Sequence, residues 1–293
     1  MKRIGQILVL ACLLAAGCQK PKSAAGVHPR IITFAPHITD IAYDMGLADH
    51  VVGVTNFCIV PLGRRPAVVG NALKINGEAI LQAEPDILFY NTRQSDYDTL
   101  RKLAPSLQLV RVRNDNLAQL REGIAAMGRA VGREDLSAAM LSRMDGELDA
   151  VRQAVAGRPR PRVLFVMGTE HPATAGAGSM LDDLINIAGG ANVAAEADLK
   201  DWGRINIETV YRLRPDVLIC QCEAGEDNVR AAREYWTRLS DLPAVTAGRV
   251  HVLDDPRLTI YGSKVGQTAR ELAEMICPEA FQAQTRQAKE AAP

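Results

Sequence analysis

Aromatic residues make up only 4% of this 293-residue chain, so each Trp and Tyr marks a position worth locating. Charge of one sign is also missing: 34 Lys and Arg balance 34 Asp and Glu, and the formal net charge is zero. A nucleic-acid binder needs a basic stripe or patch, so that class is set aside. There is no Gly-rich phosphate loop, no His-Glu-x-x-His pair and no nucleophile elbow, which removes the enzyme classes those motifs serve. A catalytic reading would rest on His171 beside Glu170, as an acid/base pair or a chelatase-like metal site. The apolar stretch Ile4 to Leu14 is too short to span a bilayer, which takes roughly 20 residues.

That stretch instead has the form of an export signal, residues 1–17. Lys2 and Arg3 give a basic start, and Ala15-Ala16-Gly17 are small residues before Cys18. The run Leu13-Leu14-Ala15-Ala16-Gly17-Cys18 resembles a bacterial lipobox, with Ala15 where a larger aliphatic residue is commoner. That resemblance implies lipidation of Cys18 and a membrane anchor. Residues 18–29 are too polar to pack and read as a tether; 282–293 read as a polar tail. The exported body carries Cys58, Cys220, Cys222 and Cys277. Disulfides are permitted outside the cytoplasm, but their pairing is not legible in the chain.

One pattern occurs twice. Asn76-Gly77-Glu78 opens a short amphipathic stretch that ends at Pro85-Asp86 and runs into Ile87-Leu88. About 130 residues later Asn206-Ile207-Glu208 does the same, ending at Pro215-Asp216 before Val217-Leu218. A repeat on this scale predicts two similarly built lobes with a ligand cleft between them. Either glutamate alone is explained as an acid complementing a helix N-terminus. Their matching positions are not.

Strands are expected at Arg30–Phe34, Val51–Val54, Asp86–Tyr90 and Leu107–Val112, with a turn at Ala35–His37 and a helix from Thr39 to Met45, stopped by Gly46. Leu117, Leu120, Ile124, Met127 and Val131 form one apolar helical stripe; Leu136, Met140, Met144, Leu148, Val151 and Val155 form another. The second helix, roughly 30 Å long, is long enough to cross between lobes. The alternation restarts with a strand at Arg162–Met167, a helix at Ser179–Ala188, strands at Asp216–Cys220 and Arg249–Leu253, and a helix at Lys264–Cys277. The reading is α/β, with two lobes of mostly parallel sheet flanked by helices, joined by one long helix. The lobes are 30–132 and 158–281, and the joining helix 133–157.

Ligands of open α/β sheets sit beyond the carboxyl ends of the strands. The residues expected there are His37, Phe57, Cys58, Asn71 and Tyr90 in the first lobe, and His171, Trp202, Cys222 and Tyr261 in the second. His37 and His171 occupy equivalent places. Each is a possible axial ligand for a chelated metal, or else a hydrogen-bond donor to a loop carbonyl or a ligand amide. Cys58 and Cys222 read as soft-metal ligands, as a disulfide across the cleft or as small buried hydrophobes, and Cys277 could pair with Cys220. Met140 and Met144 read as core. Asp182-Asp183 and Asp254-Asp255 lack a third ligand at coordination spacing and read as solvated helix-start or turn residues.

The segment Arg30-Ile31-Ile32-Thr33-Phe34-Ala35-Pro36-His37, then Val52-Gly53-Val54-Thr55 and the Pro-Asp strand, resembles the periplasmic iron-chelate and cobalamin-binding proteins of ABC importers. Thr174-Ala175-Gly176 and Ile187-Ala188-Gly189-Gly190-Ala191-Asn192 agree with it, and the resemblance spans about Arg30 to Cys277. It implies little hinge motion, no cofactor and no enzyme activity. It implies a protein that is monomeric when free, held by its lipid in the periplasm or at the cell surface. It also implies an inner-membrane permease dimer as partner, onto whose arginines Glu78 and Glu208 dock. Phe57 and Trp202 match cleft aromatics of the cobalamin binders. Ala72, Asn91 and Ala173 stand where those have aromatics, and Asp255 and Arg257 are out of register with their acidic and basic pair. The implied cargo is a corrinoid, with haem or a ferric siderophore as the alternatives. A lipoprotein sensor without a transporter is a third class.

Overall fold

The computed structural model describes residues 29–71, 74–197, 199 and 201–281. The expected signal, Cys18, nearly all of the tether, Ala72, the Arg257 side chain and the polar tail lie outside the described residues. The first lobe runs β1 (Ile31–Thr33), α1 (Pro36–Asp44), β2 (Val51–Val54), β3 (Ala67–Val68), α2 (Gly77–Gln82), β4 (Ile87–Tyr90), α3 (Asp98–Leu103), β5 (Gln108–Arg111) and α4 (Leu117–Val131). The long helix α5 (Glu134–Val155) follows. The second lobe runs β6 (Arg162–Met167), β7 (Ala173–Ala175), α6 (Met180–Ile187), β8 (Ala191–Asn192), β9 (Trp202–Arg204), α7 (Ile207–Leu213), β10 (Val217–Gln221), α8 (Glu226–Thr237), α9 (Pro243–Thr246), β11 (Val250–Leu253) and α10 (Val265–Ile276).

The first sheet has the order β3-β2-β1-β4-β5, all parallel. Strands β1 and β4 are buried along their whole length, as expected of parallel strands covered on both faces. The second sheet has the order β11-β10-β6-β7-β9, with β8 also on β6. Its central strands are parallel, and β7 and β9 add an antiparallel edge.

Helix α1 begins three residues before the expected Thr39. Proline suits the first helical position, because its φ is already helical and its missing N–H has no bond to lose there. His37 is therefore inside a helix rather than in a turn. Gly46, at φ 75°, ends the helix as anticipated. Helix α8 was not anticipated: its first turn is polar, and Val229, Ala232, Tyr235 and Trp236 mark its buried face.

The repeat is structural as well as sequential. Asn76 and Asn206 are both N-caps, with side-chain oxygens accepting from the N–H of Ala79 (3.1 Å) and Thr209 (2.9 Å). Glu84 and Arg214, each just before the proline, take left-handed φ values of 45° and 44°. Asp86 and Asp216 then accept the backbone N–H of Arg30 (2.8 Å) and Arg162 (2.9 Å), the residues that lead into or open the first strand of each lobe. The two guanidinium groups turn back onto the carbonyls of Ala83 and Glu84, and of Leu213. The Pro-Asp corner is thus fastened to its own sheet twice over.

One apolar cluster joins Ile31, Ile38 and Phe89 of the first lobe, Met140, Met144 and Leu148 of α5, and Val163, Ile219 and Leu272 of the second. Polar bonds reinforce the junction. Asp40 Oδ2 accepts from both the N–H and the hydroxyl of Ser263, each at 2.7 Å. Asp183 accepts the N–H of Leu117 (2.8 Å), the N–H of Met180 donates to the Asp115 carbonyl (2.6 Å), and Asn114 donates to the Tyr261 carbonyl (3.2 Å). Asp182 and Asp183 are therefore not merely solvated: Asp183 ties α4 to the second lobe, and Asp182 accepts from Gly178 and Asn192.

Candidate functional site

The strand order reverses at β1 in the first sheet and at β6 in the second. Crevices open outside the carboxyl ends of strands at such places. A cavity of about 370 Å³ lies between the lobes. Its first-lobe wall is Pro36, Asp40, Tyr43 and Asp44 of α1 with Ile59 and Pro61 after β2; its second-lobe wall is Asp255, Ile260, Ser263 and Lys264 with Gln267, Thr268 and Glu271 of α10, so it runs along the two helices as well as past the strand ends. A second cavity, of about 790 Å³, lies at the ends of β6 and β10, under α8. The two are neighbours, because the Gln221 side chain in the second cavity donates to the carbonyl of Asp255 (3.3 Å) in the first.

The loop after β2 presents Phe57, 59% exposed, with Ile59 and Leu62 also exposed; Trp202 on β9 is 41% exposed. These are large apolar side chains at loops and edges, left available for contact. Cys58 is half-buried and bonds locally to the Thr55 hydroxyl (3.1 Å). Cys222 is half-buried, and its thiol donates to the Leu253 carbonyl (3.4 Å). All four described cysteines are free, so neither the cross-cleft disulfide nor a Cys220–Cys277 bond is present. Burial pushes the Cys220 thiol up to about 11, which keeps it protonated and a poor metal ligand.

Several expected cleft residues lie elsewhere. His37 is 4% exposed, and its Nε2 bonds the Val112 carbonyl at 3.2 Å. Burial lowers its pKa to about 4, against the raising effect of that bond, Asp115 and Asp40. The ring is a neutral structural group and has no free face for a metal. Tyr90 is buried too, tilted against Tyr97 with ring centroids 4.2 Å apart. Tyr261 is buried in the cluster that spans the lobes; its hydroxyl has no partner among the described residues, and burial raises its pKa. Asn71 closes a turn by accepting the N–H of Lys74 (2.8 Å). Each reached the core or a turn because a residue after a strand points either into the crevice or back under the sheet, and spacing does not say which. His171 is exposed, beside Arg204 and Asn206 in a shallow pocket of the second lobe. Among the described residues no group of three or more His, Cys, Asp and Glu is placed to hold a metal ion.

Glu78 and Glu208 are both exposed, at the second position of α2 and of α7. From Asn76 to Ile80 and from Asn206 to Val210 the pattern of burial is the same, residue for residue. Three positions beyond each glutamate is a large exposed side chain, Leu81 (38%) and Tyr211 (39%), on the same face of its helix. Sequence reasoning found the glutamates and missed these two. It also missed Gln221, although a glutamine after Val-Leu-Ile-Cys at the end of an apolar strand was a usable signal.

Solved structures with this fold include the apo form of the periplasmic heme-binding protein RhuT of Roseiflexus sp. RS-1 (TM-score 0.72, 24% identity, covering 87% of this chain and 100% of that one). The periplasmic vitamin B12-binding protein BtuF of Vibrio cholerae is another (TM-score 0.73, 20% identity, covering 87% and 98%). In sequence, the chain is 24% identical over 312 aligned positions to the ABC transporter substrate-binding lipoprotein YvrC of Bacillus subtilis, covering 94% of this chain and 96% of that protein. Residues 31–256, which run from β1 to just past β11, match the family described as periplasmic binding protein. With that match across most of its length, on two mostly parallel sheets whose lobes share a cavity, the chain belongs to the periplasmic binding protein family.

Proposed function

We propose that this protein is the extracytoplasmic substrate-binding lipoprotein of an ABC importer, anchored through Cys18. It holds a corrinoid between its lobes and hands it to a two-fold permease through Glu78 and Glu208. The matched pair of helices carries the reading. Two identical caps, two identical burial patterns and two exposed glutamates, each with a large exposed neighbour, suit a partner that presents one surface twice. Complementary charge at such a transient contact mainly sets register and association rate. The likeness to a lipoprotein of an ABC transporter and to a vitamin B12-binding fold supports the same reading. Phe57 and Trp202 are its aromatic contacts with the ring, and His171 is the imidazole left exposed for a metal or an amide.

The test is a visible-absorption titration of the purified protein with cyanocobalamin, dicyanocobinamide, haemin and a ferric hydroxamate. One-to-one binding of the corrinoids, weakened in Phe57→Ala and Trp202→Ala, supports the proposal. A response to haemin alone, with a Soret band that changes in His171→Ala, replaces it with a haem carrier.

A further inference from the structure

Gln221 closes β10 and is 6% exposed. Its amide nitrogen donates to the Asp255 carbonyl, which fixes the orientation of the group: the nitrogen is engaged and Oε1 is the other end. That oxygen is buried and has no partner among the described residues. A buried acceptor left without a donor is destabilising, because it has given up water and gained nothing in return. The side chain lines the cavity at the ends of β6 and β10.

The rest of that wall has the same sense. Arg238 pairs with Glu234 at 3.8 Å, while Glu223 has no ion-pair partner among the described residues. The Cys222 thiol is spent on Leu253, and the Asn228 amide nitrogen on the Ala224 carbonyl (3.0 Å). The cavity offers acceptors and a surplus negative charge. With Thr169, Tyr235 and Arg238 as its donors, the wall still carries one more negative charge than positive, which favours an uncharged edge with N–H donors over one of carboxylates.

We infer that Gln221 is a specificity-determining residue whose Oε1 accepts an N–H from a primary carboxamide on the rim of the cargo. The inference rests on the corrinoid reading above and deepens it. A corrin ring bears carboxamides around its periphery. The propionates of haem only accept, and they would meet Glu223 as a like charge. Gln221 touches the interlobe wall at Asp255, which puts it beside the space proposed for the cargo.

The experiment titrates the full-length chain, in detergent micelles, with dicyanocobinamide and with dicyanocobyrinic acid. The second has the same ring, with carboxylates in place of the carboxamides. The wild type is expected to prefer the amide form. Gln221→Leu should bind dicyanocobinamide about tenfold more weakly and the acid within about twofold of wild type, so that the preference collapses. Gln221→Glu keeps an acceptor and adds charge; it should hold dicyanocobinamide within about threefold and sharpen the preference. If Gln221→Leu does not fold by circular dichroism, Gln221→Glu decides, and an unchanged preference in it overturns the inference. Wild-type affinity and preference in Gln221→Leu also overturn it, while leaving the corrinoid reading intact. A wild type that binds neither probe removes both.

Discussion

Most of what the sequence left open was a matter of which way one side chain points. Phe57 and Trp202 are exposed, whereas Tyr90 and Tyr261, equally well placed by spacing, pack inward. Truncating the exposed pair should therefore be functional rather than structural. We expect Phe57→Ala and Trp202→Ala each to weaken corrinoid binding about tenfold, with thermal midpoints within about 2 °C of wild type, measured by titration and calorimetry. His37 has the opposite character. Its folded pKa, about 4, lies below the ordinary 6.5, so the unfolded chain binds the extra proton. The stability that a neutral His37 contributes is complete above about pH 6.5 and is lost as pH falls toward 4. Unfolding free energies from urea titrations at pH 7 and pH 5 should differ by about 2 kcal/mol from this group, and His37→Gln should flatten that slope. Equal slopes in the two proteins would show that other groups set the acid response.

At the level of elements, the chain was legible wherever a local rule repeats. The stripes on α4 and α5, the glycine that ends α1 and the paired Pro-Asp corners are short-range signals, and the elements form where those signals lie. What escaped has a long-range cause. Strands β7 and β9 are three residues each and exist because β7 pairs with β6 and β9 with β7. Helix α8 is held by burying Trp236 against β10 and β11. The left-handed residues Glu84 and Arg214 were invisible too, since nothing marks a non-glycine residue for positive φ except the corner built around it. The repeated caps allow a direct check. Asn76→Ala and Asn206→Ala should each cost about 1 kcal/mol in urea unfolding, and Asn76→Asp should cost much less. A cap that costs nothing would mean that the corner, rather than the helix start, fixes the orientation of the glutamate.

Across the whole molecule, two lobes were readable because the duplication is written in the chain, and the transport role came with the resemblance of Arg30 to Cys277 to the periplasmic binders. The cargo was not, because it depends on side-chain directions and on residues such as Gln221 that form no motif. Glu78→Lys with Glu208→Lys should abolish uptake in cells dependent on the imported corrinoid, while the titrated affinity stays within about twofold of wild type. Loss of affinity along with uptake would place the glutamates in the cleft rather than at the permease. Leu81→Ser with Tyr211→Ser should reduce uptake less, by weakening apolar contact without altering charge.

The apolar cluster that threads from Ile31 through Met144 to Leu272 also bears on folding. Each lobe has a buried cluster of its own, but the larger one is shared, so the lobes are not two folding units: cutting the chain after α5 would expose the Met140, Met144 and Leu148 side of that helix to water and leave each half short of a partner. Heat should melt the protein in one endotherm, with calorimetric and van't Hoff enthalpies in agreement, and neither lobe should be recoverable as a soluble fragment. The duplication visible in the sequence is thus no longer a division of the molecule, and the cleft it encloses can admit or release a ligand only as far as one continuous solid can bend.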